Sequence, residues 1–241
     1  MKVLAINCSP KMDKGITALI LNPFLEGMRE AGADVELVHT KELDIGPCLG
    51  RLECFVEGAC IQKDDMETLL PKLRDADVWV FATPVYWGGV VGGMKNLIDR
   101  MTPFGNPVFG IRDGHSYHSL REDVKRGKVV LVSTCGFWEL DNFDALVNYV
   151  KTFSRQAERE FAGALLRPHS MPFAGMLKMG KPVGDVLEAA KDAGREFVQN
   201  GNIPAETLAT IGRPVMPLEA FVQVANQKWQ EAIDAGRSPF A

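Results

Sequence analysis

Two continuously apolar runs, Val78–Ala82 (VWVFA) and Lys128–Ser133 (KVVLVS), restrict the fold more than any other feature of the chain. Neither alternates with polar residues, so each reads as a strand covered on both faces, as in a parallel sheet flanked by helices. Val3–Ile6 is a third, shorter apolar strand. Helical periodicity fills the intervals. Gly15–Ala31 places Leu19, Ile20, Phe24, Leu25 and Met28 on one side, with Gly32 as its stop and Pro23 expected to kink it. Asp34–His39 alternates as a half-buried strand, and Asp64–Asp75 is a helix capped by Asp64 or Asp65. Met94–Met101 and Leu140–Arg159 are further helices, Thr102–Gly127 is a polar insertion, and Phe161–Leu166 is the last strand. Strand and helix in repeated alternation give an α/β three-layer sandwich. Right-handed crossovers then favour a five-stranded parallel sheet in the order 2-1-3-4-5.

In a doubly wound sheet of this flavodoxin-like order, ligands sit beyond the C-terminal strand ends, where strands one and three diverge. Three loops meet there, and all three have unusual chemistry. The first, Cys8–Thr17, carries the hydroxyls of Ser9 and Thr17, the charge of Lys11, and Gly15 just before a helix. A helix start with free N–H groups suits a monophosphate, although the same residues also serve as ordinary caps. The second, Thr83–Gly93, brings Pro84, Val85, Tyr86, Trp87 and Gly88 to a strand end, and flat heteroaromatic ligands stack on such side chains. The third repeats the pattern with Thr134, Cys135, Gly136, Phe137 and Trp138. Cys135 is expected to be structural, because nothing beside it lowers a thiol pKa.

The 241 residues form one α/β domain over 1–166 and a helical C-terminal extension over 167–241, expected to pack on the same domain or on a partner subunit. Val183–Val198 and Leu218–Ala235 are its helices. A stripe of Phe221, Val222, Val224, Ala225 and Trp229 is expected to join the chain's own core. A net charge of -4 leaves no footprint for nucleic acid or anionic membrane. No apolar run reaches membrane-spanning length, Met1–Cys8 is too short for a secretory signal, and a cytoplasmic location is expected.

Ser9-Pro10-Lys11…Gly15-Ile16-Thr17, Thr83-Pro84-Val85-Tyr86-Trp87-Gly88 and Met94-Lys95-Asn96-Leu97-Ile98-Asp99-Arg100 together resemble the NADPH-dependent FMN reductase family, most of all its iron–sulfur flavoprotein branch. The resemblance covers about residues 1–166. It implies FMN as cofactor, its phosphate on Ser9, Lys11, the Ile16 amide and Thr17, with Gly15 opening the loop. It implies the flavin ring against Pro84–Gly88 and Thr134–Gly136. NAD(P)H would be co-substrate, giving hydride to the flavin N5 with no side-chain acid or base required, and a small acceptor such as a flavin or a quinone would take the electrons on. The alternative is an FMN electron carrier that does not use nicotinamide. Lys11 and Ile16 stand where the family often has Arg and Asn, which leaves a less bidentate phosphate contact. A homodimer or homotetramer is expected by analogy.

The same resemblance implies a cluster motif of four cysteines before Asp64-Asp65-Met66. Cys48, Cys54 and Cys60 match three positions, and Arg51 occupies the remaining one. A [4Fe–4S] cluster takes four thiolates, so the expectation is a relic loop of free thiols packed over the flavin or a dimer contact, with no metal. Glu53 and Glu57 lie nearby but off the vacant position. His115 and His118, at i and i+3, are expected to be solvated surface.

Overall fold

The structure, a computed structural model, describes residues 1–238. Five parallel strands form the central sheet: β1 (Lys2–Asn7), β2 (Asp34–His39), β3 (Val78–Pro84), β6 (Lys128–Thr134) and β7 (Glu160–Arg167). They are arranged β2-β1-β3-β6-β7, which is 2-1-3-4-5 when these five alone are counted. Two intervening strands, β4 (Gly105–Arg112) and β5 (His115–Leu120), form a separate antiparallel hairpin. The stretch expected to be a polar insertion is therefore ordered. Its Gly, Pro and His content hides two short strands that pair with each other instead of joining the sheet.

The sheet sorts its side chains by parity, as a pleat requires. Val3, Ala5, Val78, Val80, Ala82, Val130 and Val132 face one layer, and Leu4, Ile6, Trp79, Phe81, Val129 and Leu131 face the other. The second layer is closed by α3 (Met66–Asp75), α4 (Gly92–Asp99) and α5 (Asp144–Gln156). The first is closed by α1 (Ile16–Glu30) and by α7 (Asp185–Asn200), which lies well beyond residue 166. These two helices touch backbone to backbone: a Cβ on Gly27 would lie 1.9 Å from the Lys191 carbonyl oxygen, and one on Gly194 2.1 Å from that of Phe24. Pro23 lies inside α1 without ending it.

Two helices have no counterpart in the sequence reading, α6 (Ser170–Lys178) and α8 (Ala205–Gly212); a short α2 (Glu53–Glu57) interrupts the cysteine loop. In the final helix, α9 (Leu218–Asp234), the expected core stripe is only partly core. Phe221 is half-buried with its ring edge-on to His169, and Ala225 is half-buried. Val222, Val224 and Trp229 are exposed, together with Leu218 and Ile233. The periodicity predicted the helix; it carried no information on what covers it. Among the described residues no helix is long and apolar enough to cross a membrane.

Candidate functional site

Three turns follow the C-terminal ends of β1, β3 and β6, and they are bonded to one another. The Thr17 and Thr134 hydroxyls lie 2.9 Å apart, joining the first turn to the third. The Val85 amide donates to the Thr134 carbonyl at 2.9 Å, joining the second to the third. The Cys8 amide donates to Ala82 at 2.8 Å, joining the first to the second. The convergence follows from strand order: β1, β3 and β6 are neighbours in register, with Pro84 opposite Thr134.

The first turn coils into a single 3-10 turn, Met12–Lys14, before α1. Gly15 caps α1 with no side-chain hydrogen bond, so the amides of Ile16 and Thr17 open the helix without a carbonyl one turn behind them. A Cβ on Gly15 would stand 2.7 Å from Ser9 Oγ, so the loop curls this tightly only around glycine. Ser9 is buried, and its oxygen accepts from the Lys11 amide at 3.4 Å. Asn7, fully buried at the end of β1, holds the Ser9 amide through Oδ1 at 3.0 Å, while its Nδ2 is buried without a partner. The sequence reading missed Asn7; its signal was an amide side chain closing an otherwise apolar strand.

The second turn is a two-residue hairpin. The amides and carbonyls of Tyr86 and Gly89 exchange hydrogen bonds at 3.0 and 3.1 Å across Trp87 and Gly88. Both central residues have positive φ, 49° at Trp87 and 76° at Gly88, as a type I′ turn requires. Glycine accepts that geometry freely, whereas for a bulky aromatic it is strained. The strain lifts Trp87 to the tip of the turn, where it is fully exposed beside the half-exposed Tyr86. Pro84 and Val85 are half-buried beneath.

The third turn is braced from behind. The Cys135 amide donates to Arg167 at 3.1 Å, its carbonyl accepts from Ser170 at 2.9 Å, and the His169 amide donates to Phe137 at 2.5 Å. The Cys135 thiol is buried, which pushes its pKa up, and its sulfur accepts from the Phe137 amide at 3.4 Å. With both of its backbone groups also engaged, Cys135 is a structural member of the turn. Phe137 is exposed on the same rim as Trp87.

Behind this turn lies a network the sequence did not reveal. Arg167 is fully buried with no carboxylate in contact; it donates to the carbonyls of Pro168, Ile211 and Arg213 and to His169 Nε2 at 2.9 Å. His169 Nε2 also accepts from the Val215 amide at 3.0 Å, and its Nδ1 faces the Trp138 carbonyl. Burial, then the neighbouring guanidinium, lower the His169 pKa to about 4, so the ring is neutral at pH 7 with its proton on Nδ1. Trp138 stacks on His169 and donates to Met216. The segment after α8 is thus fastened to the third turn. These contacts span more than forty residues, beyond the reach of any local pattern.

The cysteine loop runs from the end of β2 over α4, where Asn96 Nδ2 donates to the Ile45 carbonyl at 3.4 Å. Its base is clamped by Arg100, only 1% exposed, which holds Asp64 at 2.6 and 2.9 Å and the Gly46 carbonyl at 2.9 Å. Arg121 binds the Phe55 and Val56 carbonyls at the far side. Cys48 is exposed, Cys54 and Cys60 are half-buried, and all five cysteines of the chain are free. His118, expected to be solvated, is half-buried against Phe109 and Phe55, with Nδ1 on the Asn106 carbonyl at 2.9 Å; the hairpin supplies the cover. His115 is exposed. A cleft of about 1010 Å³ opens under the same hairpin, away from the rim.

Comparison with known proteins agrees with this geometry. Residues 1–153 match the family model for NADPH-dependent FMN reductase. Among curated proteins, an iron–sulfur flavoprotein of Archaeoglobus fulgidus is 43% identical over 108 residues, 44% of this chain and 52% of that protein. One of Methanocaldococcus jannaschii is 36% identical over 103 residues, covering 43% and 53%. The chain therefore spans about half the length of the curated relatives it matches. Among solved structures, an azoreductase from Bacillus anthracis aligns over 82% of this chain and all of that one, with a TM-score of 0.60 at 16% identity. An NAD(P)H:quinone oxidoreductase from Methanothermobacter marburgensis covers 82% and 96%, with a TM-score of 0.56 at 17% identity. At such identities the structural likeness establishes the flavodoxin-like fold alone. The family match spans more than half of the chain and includes all three turns bonded at the rim; the chain belongs to the NADPH-dependent FMN reductase family.

Proposed function

We propose that this chain is an FMN-dependent NAD(P)H oxidoreductase that delivers electrons to a small diffusible acceptor, such as a flavin or a quinone. The observation that carries the reading is the mutual bonding of the three turns beneath an exposed aromatic rim. The residues fit FMN. Gly15 lets the loop curl so tightly that a Cβ there would collide with Ser9 Oγ, Asn7 Nδ2 is buried and unpaired, and the first amides of α1 are uncapped. Ser9, Thr17, Lys11 and the Ile16 amide would hold the phosphate, a helix start being favourable for an anion. Pro84–Gly88, Thr134 and Gly136 would border the ring. When bound, FMN supplies a ring that takes hydride from a nicotinamide and releases electrons to an acceptor.

The protein's part is to bind, orient and exclude water. Tyr86, Trp87 and Phe137 offer apolar surface over one ring face, where nicotinamide and acceptor would dock in turn. The strained I′ turn holds Trp87 out for that contact. The name of a Staphylococcus saprophyticus relative, FMN-dependent NADPH-azoreductase, 32% identical over 108 residues and about half covered, supports the same cofactor pair. The exposed face of α9 supports a homo-oligomer, and five free thiols support a reducing, cytoplasmic setting.

A visible spectrum of the purified protein should show flavin bands, and rapid mixing with NADPH should bleach them within a catalytic turnover. Bleaching far slower than turnover by any acceptor would favour an electron carrier instead. Trp87→Asn separates binding from folding, because Asn tolerates positive φ. It should weaken FMN about tenfold in a fluorescence titration while the stability from urea unfolding holds or rises by up to about 1 kcal/mol. Unchanged flavin affinity would remove Trp87 from the site.

A further inference from the structure

The loop between β2 and α3 carries chemistry that the rim does not use. Cys48, Cys54 and Cys60 line one small cavity together with Arg51, Glu53 and Thr102. The relatives' name implies an iron–sulfur cluster, and the residues here can be tested against one. A [4Fe–4S] cube takes four thiolates. Three are present, and the position that the resemblance to the iron–sulfur branch gives to the fourth holds Arg51, whose guanidinium has five donors and no lone pair to offer a metal. That guanidinium is engaged within the loop, Nε and Nη2 reaching Glu53 Oε1 at 2.9 and 2.7 Å across Leu52 in a left-handed conformation. The thiols do not converge on a single ion: among the described residues no group of three or more His, Cys, Asp or Glu could hold one. The residues do not fit the cluster.

We infer that Arg51 closes this loop to an iron–sulfur cluster, leaving three thiols around a small cavity and no second redox centre among the described residues. One consequence rests on the flavin reading above: any acceptor must reach the rim itself, because no relay leads away from it. The inference about Arg51 stands without that reading.

Iron and acid-labile sulfide are measured on protein purified without oxygen from iron-sufficient cells, with a cooperative urea transition as the index of folding and flavin content measured alongside. The wild type should hold well under one iron per chain. Arg51→Cys should gain about four irons and four sulfides per chain, the [4Fe–4S] stoichiometry, with a broad absorbance that bleaches on reduction, at unchanged flavin content. Wild-type protein with stoichiometric iron and sulfide would overturn the inference. If that iron were lost on Glu53→Gln, the fourth ligand would be the carboxylate of Glu53, whose Oε2 is buried without a partner. A flavin-loaded Arg51→Cys protein that stays free of iron would equally overturn the role given to Arg51. A flavin-free wild type with little iron would sink the proposed function and leave this inference standing.

Discussion

At the rim, a turn moves only if a strand moves. Val85 and Thr134 are bonded at the ends of β3 and β6, whose register is fixed along their length, and Thr17 in the first turn of α1 is tied to Thr134. The cysteine loop is built otherwise. It spans about twenty residues, is exposed for much of its course, and is held by side chains at its margins, Arg100 on Asp64 at the base and Arg121 on α2 at the far side. The sheet thus fixes one irregular region as a by-product of folding, while a few ion pairs and carbonyl contacts fix the other. The first should tolerate loss of a peripheral charge and be intolerant of added volume, and the second should behave the opposite way.

The largest effect should come from the clamp. Asp64→Asn leaves the Arg100 guanidinium buried without its countercharge, and breaking such a pair costs about 3–5 kcal/mol. The urea midpoint should fall accordingly, and hydrogen exchange should quicken over residues 45–64 more than at the rim. The same clamp gives a pH signature. Burial would raise the Asp64 pKa, but the hydrogen bonds from Arg100 and from the Met66 and Gly46 amides outweigh it and hold the carboxyl below its usual range. A lowered folded-state pKa stabilises fully above the unfolded value near about 3.9 and is lost as pH falls through the folded value. The wild type should therefore lose stability in acid below about pH 4, and Asp64→Asn should lose less of what remains. Equal acid slopes in the two proteins would place the protonation elsewhere.

Added volume tests the rim. Gly15→Val would set a branched side chain against Ser9 Oγ, where a Cβ alone stands at 2.7 Å. The turn can open to relieve the clash, but it then no longer curls around a phosphate. FMN affinity should drop at least about 100-fold, roughly 2.7 kcal/mol, with a smaller loss of stability, of about 1–2 kcal/mol. Retained affinity would show that the phosphate lies elsewhere.

How much of this was legible in the sequence follows from the range of the forces involved. Val78–Pro84 and Lys128–Thr134 announce themselves because burial on both faces leaves an uninterrupted apolar run. The rim turns are legible because glycine, proline and aromatic residues concentrate where a strand must stop and a ligand can approach. Gly27 and Gly194 carry no such message singly. Each looks like a flaw inside a helix until α1 and α7 are seen to meet there, which is why 167–241 read as an extension although α7 covers the sheet beside α1. We propose counting that stretch in the same folding unit. Arg167 and His169 stayed hidden because their partners Ile211, Arg213 and Val215 are set by topology. The cysteine loop is the reverse case: the family resemblance pointed to a cluster, and a single residue, Arg51, pointed away from it.

The smallest effect should come from the thiols. Replacing Cys48, Cys54 and Cys60 together by Ser removes every sulfur from the loop but leaves Arg100, Asp64 and Arg121 in place. If the loop is held by its clamps and holds no cluster, the urea midpoint should move by no more than about 0.5–1 kcal/mol, as for partly exposed positions without special partners. Reduction of a quinone by NADPH should stay within about twofold, because electrons leave at Tyr86, Trp87 and Phe137 without crossing the loop. A tenfold loss of turnover at unchanged flavin content would mean that the thiols take part in the reaction, and the division between a rim that works and a loop that is only clamped would fail at its weaker side.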